Sequence, residues 1–379
     1  MAESTVVMKV LYISHHREQS GWGEVALNNI LALDSVGVDV VPRAVKLDNP
    51  RQDIPQRIFE LEQKSAKDCD ICLQHVLPHF LQGTSAFKRN IALYEFETTN
   101  MAHTSWPRYI NMMNEAWVPC LEMHLNQNNN GIKIPSRVIP HAHDPAEYTQ
   151  TYQPLDIPGI VDNYVFYFIG EYSKRKNITA LIRAFYTEFS NNEPVSLVVK
   201  VNKTGIERED LFKQVDEYIT GIKQGLKLYK NPNLYKQTHI ITEFLSRQQI
   251  LQLHHTCDCF VMPSHGESWC APVVDAMAMG NLAIATQTGG MIDYMNSDNG
   301  FLVPCNKGDV FAHDHVFDDF GSAKETWANI SIIDLRHDLR QAYELNENTR
   351  TLIQANAKKV IDTCSLQVVG ELMKKALNE

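Results

Sequence analysis

No apolar run in this 379-residue chain approaches the ~18 residues that a membrane-spanning helix needs, so an integral membrane protein is not expected. A surplus of positive charge is missing as well: 35 Lys and Arg face 45 Asp and Glu, a formal net charge of −10. That balance removes the broad basic field on which nucleic-acid binding relies and leaves only local cation clusters for a phosphate. The opening MAESTVVMKVLYIS has an early acid and no basic stretch, so it reads as a first strand rather than a secretory leader, and a cytoplasmic setting is expected. The eight cysteines, at 69, 72, 120, 257, 259, 270, 305 and 364, lack the spacing of a disulfide framework, and a chain of this length needs no such staples. Cys69 and Cys72 spell C-x-x-C inside a strand-like run, without the second pair or helix start that zinc or redox chemistry wants. Also absent is the spaced three-glycine dinucleotide fingerprint, which counts against a dehydrogenase.

What is present is an ordinary globular composition, 44% hydrophobic and 21% charged, with length enough for two cores. Apolar strand-like runs alternate with helical patterns, which implies α/β units built on parallel sheets. The first series is VVMKVLYIS, VDVVPRAV, DICLQHV, RNIALYEF, EAWVP and SRVIP, with a helix over 24–37 that stops at Gly37. Residues 144–163 are rich in turn formers and read as a linker. A second series follows: YVFYFIG, VSLVVKV, HIIT, CDCFVMP, NLAIAT and GFLVP, with helices over 177–189 and 246–257, the latter capped by Ser246. The expected organisation is two Rossmann-like domains, 1–150 and 151–350, then a helical segment over 351–379. Residues 305–329 read as a variable loop; His313, Asp314 and His315 lie there without a spacing that fixes metal coordination.

Ligands of open parallel sheets bind beyond the carboxyl ends of the strands, so the residues that follow each strand carry the chemistry. After the first strand, Gly21 and Gly23 permit a tight turn before a helix whose free N–H groups suit an anion. In GEYSKRKNITALIRAF, the cations Lys174, Arg175 and Lys176 precede a helix that Asn177 can cap, a good setting for a diphosphate. Lys200 ends a mostly apolar strand, where a phosphate would neutralise it. After CDCFVMP comes SHGESWCAPVVDAMAMG. Pro272 starts a helix where its missing N–H costs nothing, and Ala276, Ala278 and Gly280 keep that helix thin. There Glu267 offers a carboxylate to sugar hydroxyls, Asp275 one to ribose hydroxyls, and the backbone of Ser268, Trp269, Cys270 and Ala271 offers N–H donors.

SHGESWCAPVVDAMAMGNLAIATQTGG resembles the donor-site signature of family 4 retaining glycosyltransferases of the GT-B fold, Glu, seven residues, Glu. YFIGEYSKRKNITALIRAF resembles that family's Gly-x5-Lys phosphate-binding segment, and the glycine turn at 20–23 and VIPHAHD match further landmarks in order. The resemblance implies two Rossmann-like domains facing across a cleft, with the C-terminal helix returning to the first. It implies a metal-independent, cofactor-free hexosyltransferase that takes a UDP- or GDP-sugar and a carbohydrate or glycoconjugate acceptor. Carried over, Glu267 would bind donor-sugar hydroxyls, Asp275 the ribose, and Lys176 with Arg175 the leaving diphosphate. Gly289 and Gly290 would line the sugar and phosphate, and Gly21 to Gly23 would approach the phosphate.

Two positions depart from the family pattern: Asp275 stands for Glu, and Glu171 for the Arg that commonly follows the glycine, leaving Arg175 or Lys200 to supply that charge. The family's first-domain polar residue after the fourth strand corresponds to Glu97 or His103, and the two stay open. His15, His16 and Arg17 follow the first strand on the acceptor side, with His75 a weaker candidate, while His141, His143 and Asp144 read as turn and hinge residues. Asp68-Cys69-Asp70 spells D-x-D but precedes a strand rather than following one. Two other functions fit the same residues: a catalytically impaired nucleotide-sugar-binding partner subunit, motivated by Glu171 and Asp275, and a GT-B-fold sugar-nucleotide epimerase.

Overall fold

A computed structural model describes residues 8–46, 49–311, 313 and 319–379. The chain divides into two compact units, one of residues 1–149 with 361–379, the other of 150–360. The first holds six strands, β1 (Lys9–Ser14), β2 (Asp39–Ala44), β3 (Ile71–His75), β4 (Arg89–Leu93), β5 (Glu115–Val118) and β6 (Ser136–Val138). Every pair is parallel, in the order β2-β1-β3-β4-β5-β6. The central strands are buried on both faces, which is why they read as continuous apolar runs rather than as alternating ones. The chain steps from β1 out to β2 and then back past β1 to β3, so the topology reverses between β1 and β3. At that reversal Ser14 pairs with His75.

The second unit repeats the plan with β7 (Tyr164–Glu171), β8 (Val195–Asn202), β9 (Thr238–Ile241), β10 (Cys259–Met262), β11 (Leu282–Thr286) and β12 (Phe301–Val303), all parallel, in the order β12-β11-β10-β7-β8-β9. Here the reversal falls between β7 and β10. The loops after those two strands therefore leave the sheet side by side, at the place where an open α/β sheet takes its ligand.

Helix boundaries follow local chemistry. Ser20 accepts from Gly23 N at 3.1 Å and opens the helix Gly21–Ser35, which Gly37 ends at φ +78°. Ser246 and Gln249 form a capping box for the helix Arg247–Thr256. The C-terminal helix Leu366–Asn378 packs on Gly21–Ser35 in the first unit, and a side chain at Gly370 would meet the Ala32 carbonyl. That return begins at Ile361; the helix Glu347–Ala357, most of which the sequence groups with it, belongs to the second unit.

One element has no signal in the sequence. Within the stretch that reads as a variable loop, β13 (Cys305–Asp309) and β14 (Thr326–Ile330) form an antiparallel hairpin. CNKGD has no apolar alternation, so nothing in its own sequence announces a strand. Its partner carries Trp327, whose ring stacks on His265 with centroids 4.2 Å apart. Of the three residues set aside as metal candidates in this stretch, Asp314 and His315 lie outside the described residues.

Candidate active site

The loops that follow β7 and β10 interlock through their backbones. Arg175 O accepts from His265 N at 2.8 Å and from Ser264 Oγ at 3.1 Å. Asn177 stands at φ +51° and makes no side-chain cap; its Nδ2 donates instead to Pro263 O at 3.0 Å. This corrects the expectation that Asn177 caps its helix. The residue fastens one loop to the end of β10. The hairpin adds a brace from the other side, through Ala328 N to His265 O at 2.8 Å.

Glu267 lies at the centre of the arrangement and is 6% exposed. Its Oε1 accepts from Lys176 Nζ at 2.7 Å and from Arg175 Nη1 at 3.1 Å, and that same guanidinium nitrogen also donates to Gly266 O at 2.7 Å. Burial alone would push the Glu267 carboxyl up, but Lys176 and Arg175 outweigh it and hold the group below its ordinary value. The result is a buried, ionised carboxylate facing two cations.

Two glycines hold the loop in place. Gly289 stands at φ +59°, and a Cβ there would lie 1.8 Å from Glu267 O; one on Gly290 would lie 2.6 Å from Ser268 O. Only bare backbone fits so close, and Gly290 N uses the approach to donate to Glu267 O at 3.1 Å. The pair thus presses the 287–290 turn against the backbone of Glu267 and Ser268. The loop ends at Cys270, in the left-handed region at φ +69°, from which the helix Ala271–Met279 starts with Pro272 in its first turn. Trp269 is buried, and its carbonyl accepts from Tyr294 Oη at 2.7 Å.

Asp275 is one turn into that helix and 3% exposed. Both its oxygens are taken by Arg247, at 2.6 Å and 2.9 Å. The sequence pattern points this carboxylate at ribose and gives no sign of Arg247. A paired acid at this spacing leaves no trace in a linear motif, because its partner comes from another helix 28 residues away. Lys200, on β8, is 4% exposed, and burial pushes its ammonium down to about 8 against the opposing charge of Glu243. Glu171 is exposed at the end of β7, whereas Arg175 is half-buried beside Glu267.

In the first unit, the residues assigned to the acceptor side separate. His16 Nε2 and Arg17 Nε both meet Glu62 Oε1, at 2.9 Å and 2.8 Å. His15 is buried and stacks on Trp22, and burial together with nearby His75 pushes it down to about 4. Gly23 is tied to packing: a Cβ there would lie 1.9 Å from Glu18 O, while one on Gly21 would meet nothing within 4 Å. Glu97 is half-exposed, and His103 Nδ1 lies 3.0 Å from Asn100 O. Glu95, which no motif in the sequence singles out, is fully buried between His75 and His141, each with its Nε2 at 2.8 Å from Glu95 Oε1. His141 thus joins a buried cluster that its reading as a turn or hinge residue does not include. His143 separates from it and bonds Tyr148 Oη at 2.9 Å, and Asp144 caps the helix Pro145–Tyr148.

Residues 156–314 match the family model described as Glycosyl transferases group 1. Over 152 residues the chain is 28% identical to the capsular polysaccharide biosynthesis glycosyltransferase CapM of Staphylococcus aureus, a match spanning 40% of this chain and only 35% of CapM. Among solved structures, a sucrose-phosphate synthase from Thermosynechococcus elongatus superposes with a TM-score of 0.67 at 12% identity, covering 98% of both chains. Anabaena HepE in complex with UDP-glucose superposes with a TM-score of 0.62 at 16% identity, covering 98% of this chain and 99% of HepE. At such identities the superpositions speak for the fold.

Proposed function

We propose that this chain is a GT-B-fold glycosyltransferase that transfers a hexose from a nucleotide-diphosphate sugar to a hydroxyl acceptor with retention of anomeric configuration. The observation that carries the proposal is the Lys176–Glu267–Arg175 cluster at the topological reversal of the second sheet. A hydrolytic carboxylate pair is not what the site offers. It offers concentrated positive charge with one carboxylate among it, which suits a leaving diphosphate beside a sugar.

In this reading the donor's diphosphate lies against Lys176 and Arg175, drawing them from Glu267 and releasing its carboxylate to the hydroxyls of the donor sugar. The bond from C1 to the phosphate oxygen breaks, and the acceptor oxygen bonds C1 on the same face. The acceptor's proton passes to the departing phosphate, which becomes free nucleoside diphosphate. Lys176 and Arg175 stabilise the charge that develops on that phosphate. The backbone of Ser268, Trp269, Cys270 and Ala271, held by Gly289 and Gly290, frames the sugar, and Lys200 adds charge from the end of β8. In this proposal Asp275 holds and orients Arg247, from which both its carboxylate oxygens accept.

Between Glu97 and His103 we keep both as first-unit contacts to the donor, and His15, His16 and Arg17 as acceptor-side residues. UDP is the nucleotide to test first, because HepE was solved with UDP-glucose, and GDP is the second. A cytoplasmic setting belongs to the same proposal and accords with eight cysteines that form no disulfide; no described helix is long and apolar enough to cross a membrane.

The test is a panel of UDP-, GDP-, ADP- and dTDP-sugars, read by thermal shift and by release of nucleoside diphosphate. Binding and release with at least one donor are expected. Glu267→Ala should abolish transfer while free UDP binds as well as before or better, because Lys176 and Arg175 lose their internal competitor. No thermal shift with any donor would sink the proposal. Simultaneous loss of transfer and UDP binding in Glu267→Ala would overturn the role given to that carboxylate.

A further inference from the structure

The buried Glu95 cluster lies wholly within the first unit, beyond the carboxyl ends of its strands. His75 ends β3, Glu95 follows β4 by two residues, His141 follows β6 by three, and Asn29 stands on the helix that follows β1. Two histidines and a carboxylate with ligand atoms within 4.8 Å of one another have the composition of a metal site. The hydrogen bonds behind them favour something else.

Ala142 N, which only donates, bonds Asn29 Oδ1 at 2.9 Å and so fixes which way that amide points. Asn29 Nδ2 therefore faces His141 Nδ1, at 3.3 Å, as a donor. His141 must accept at Nδ1 and carry its proton on Nε2, which then donates to Glu95. A metal ion would require the reverse tautomer and set two donors against each other at Asn29. His75 follows the same logic: its Nε2 meets an ionised carboxylate oxygen that can only accept, and its Nδ1 lies 3.1 Å from the Tyr12 hydroxyl, which is able to donate.

Both imidazoles thus spend their N–H groups on Glu95 Oε1. The other oxygen, Oε2, is buried and has no hydrogen-bond partner among the described residues. Nearby His15 is also buried, and neither of its ring nitrogens makes a hydrogen bond of ordinary geometry, the Val45 backbone being the polar group beside it. An ionised carboxylate oxygen left without a donor in a buried site is strongly disfavoured unless something donates to it. The surrounding histidines fix its position to within a hydrogen-bond length.

We propose that Glu95 Oε2, oriented by His75 and His141, is the anchoring acceptor for a hydroxyl of an uncharged sugar bound by the first unit. The charge of the site selects against a phosphorylated one. A phosphate would meet the Glu95 carboxylate, while the arginines that follow the first strands are paired with acids: Arg17 with Glu62, and Arg51 through Nη2 with Glu24 and through Nε with Asp53. This inference rests on the transferase reading and specifies its acceptor as a neutral polyhydroxyl compound.

Glu95→Gln is the informative variant. An amide oxygen in the place of Oε1 still accepts from both histidines, and only the atom in the place of Oε2 changes, from acceptor to donor. The full chain, saturated with UDP, is titrated with D-glucose, D-galactose, D-mannose and glucose 6-phosphate, following the histidine side-chain nitrogens by NMR. At least one neutral sugar should perturb His75 and His141 in the wild type, bind at least tenfold more weakly to Glu95→Gln, and bind better than glucose 6-phosphate. Both histidines should show protonated Nε2, with no change on adding zinc.

Equal binding by the variant, no response to any neutral sugar, preference for the phosphorylated sugar, or zinc-induced shifts at both histidines would each overturn the inference. If Glu95→Gln does not fold, the wild-type titration decides alone, through the presence or absence of a response at His75 and His141. Failure of every nucleotide sugar to shift the melting temperature is a different result and falls on the transferase reading. A retained UDP shift beside an indifferent Glu95→Gln falls on this inference only.

Discussion

Replacing Lys176 by Met keeps the length of the apolar stem and removes only the ammonium 2.7 Å from Glu267 Oε1. At that separation and an effective dielectric constant near 20, the Coulomb attraction is about 6 kcal/mol. Two effects reduce the net loss: Lys176 no longer has to be desolvated, and Arg175 Nη1 stays 3.1 Å from the same oxygen. What remains is about 1.5–3 kcal/mol, the range for a hydrogen bond to a charged group. For a unit the size of 150–360, that corresponds to a fall in Tm of roughly 3–12 °C.

The pH dependence has a definite sign. In the wild type the Glu267 carboxyl titrates below its ordinary value, so its contribution is present above the unfolded pKa and is lost as pH falls through the folded one. Without Lys176 the burial penalty regains weight and the folded pKa rises. The variant's deficit is therefore full where both forms are ionised, near pH 7.5, and shrinks as pH falls toward about 4. Calorimetry of the single variants Lys176→Met and Glu267→Gln and of the double variant supplies the test, with a coupling of about 1.5 kcal/mol expected. A Tm within about 1 °C of wild type near pH 7.5, or a deficit that grows on acidification, would refute the reasoning.

Two further outcomes follow from other charged groups of the second unit. Arg247→Met strands the buried Asp275 carboxylate and should cost about 3–5 kcal/mol by urea denaturation, most of it recovered in Arg247→Met/Asp275→Leu; a loss under about 1 kcal/mol would show the pair to be dispensable. Lys200 titrates in the folded state near 8, below its unfolded value of 10.5, so between those values the unfolded chain binds more protons and stability rises with pH. Lys200→Met should thus stabilise the ligand-free protein near pH 7 by up to about 3 kcal/mol, with the gain fading toward pH 10.5, while weakening nucleotide binding. A destabilised Lys200→Met at neutral pH contradicts the burial argument.

How much is legible in the sequence depends on the range of the interaction. The central strands of the two parallel sheets are readable because strands buried on both faces leave uninterrupted apolar runs, while the half-buried β6 and β9 are shorter versions of the same signal. Ser246 and Pro272 are readable because capping and proline chemistry act within one turn. The hairpin Cys305–Asp309 with Thr326–Ile330 is not, because its strands are held by pairing and by Trp327 on His265 rather than by their own pattern. Asn177 misleads for a related reason: an Asn before a helix is a cap by local rules, and only the end of β10 makes it a tether.

The sequence by itself determined the α/β class, the two series of strands, and the loops on which the charged residues of the second unit lie, all consequences of short-range pattern. Tertiary structure alone decided which of those charges meet. It set Lys176 and Arg175 on Glu267, closed Arg247 over Asp275, and pressed Gly289 against the Glu267 carbonyl. It also gathered His75, Glu95 and His141 from three separate strand ends into one buried cluster. The physical reason is that burial sets both the strength of a charge pair and the cost of leaving it unmade, and burial belongs to the folded sheet and not to any stretch of it.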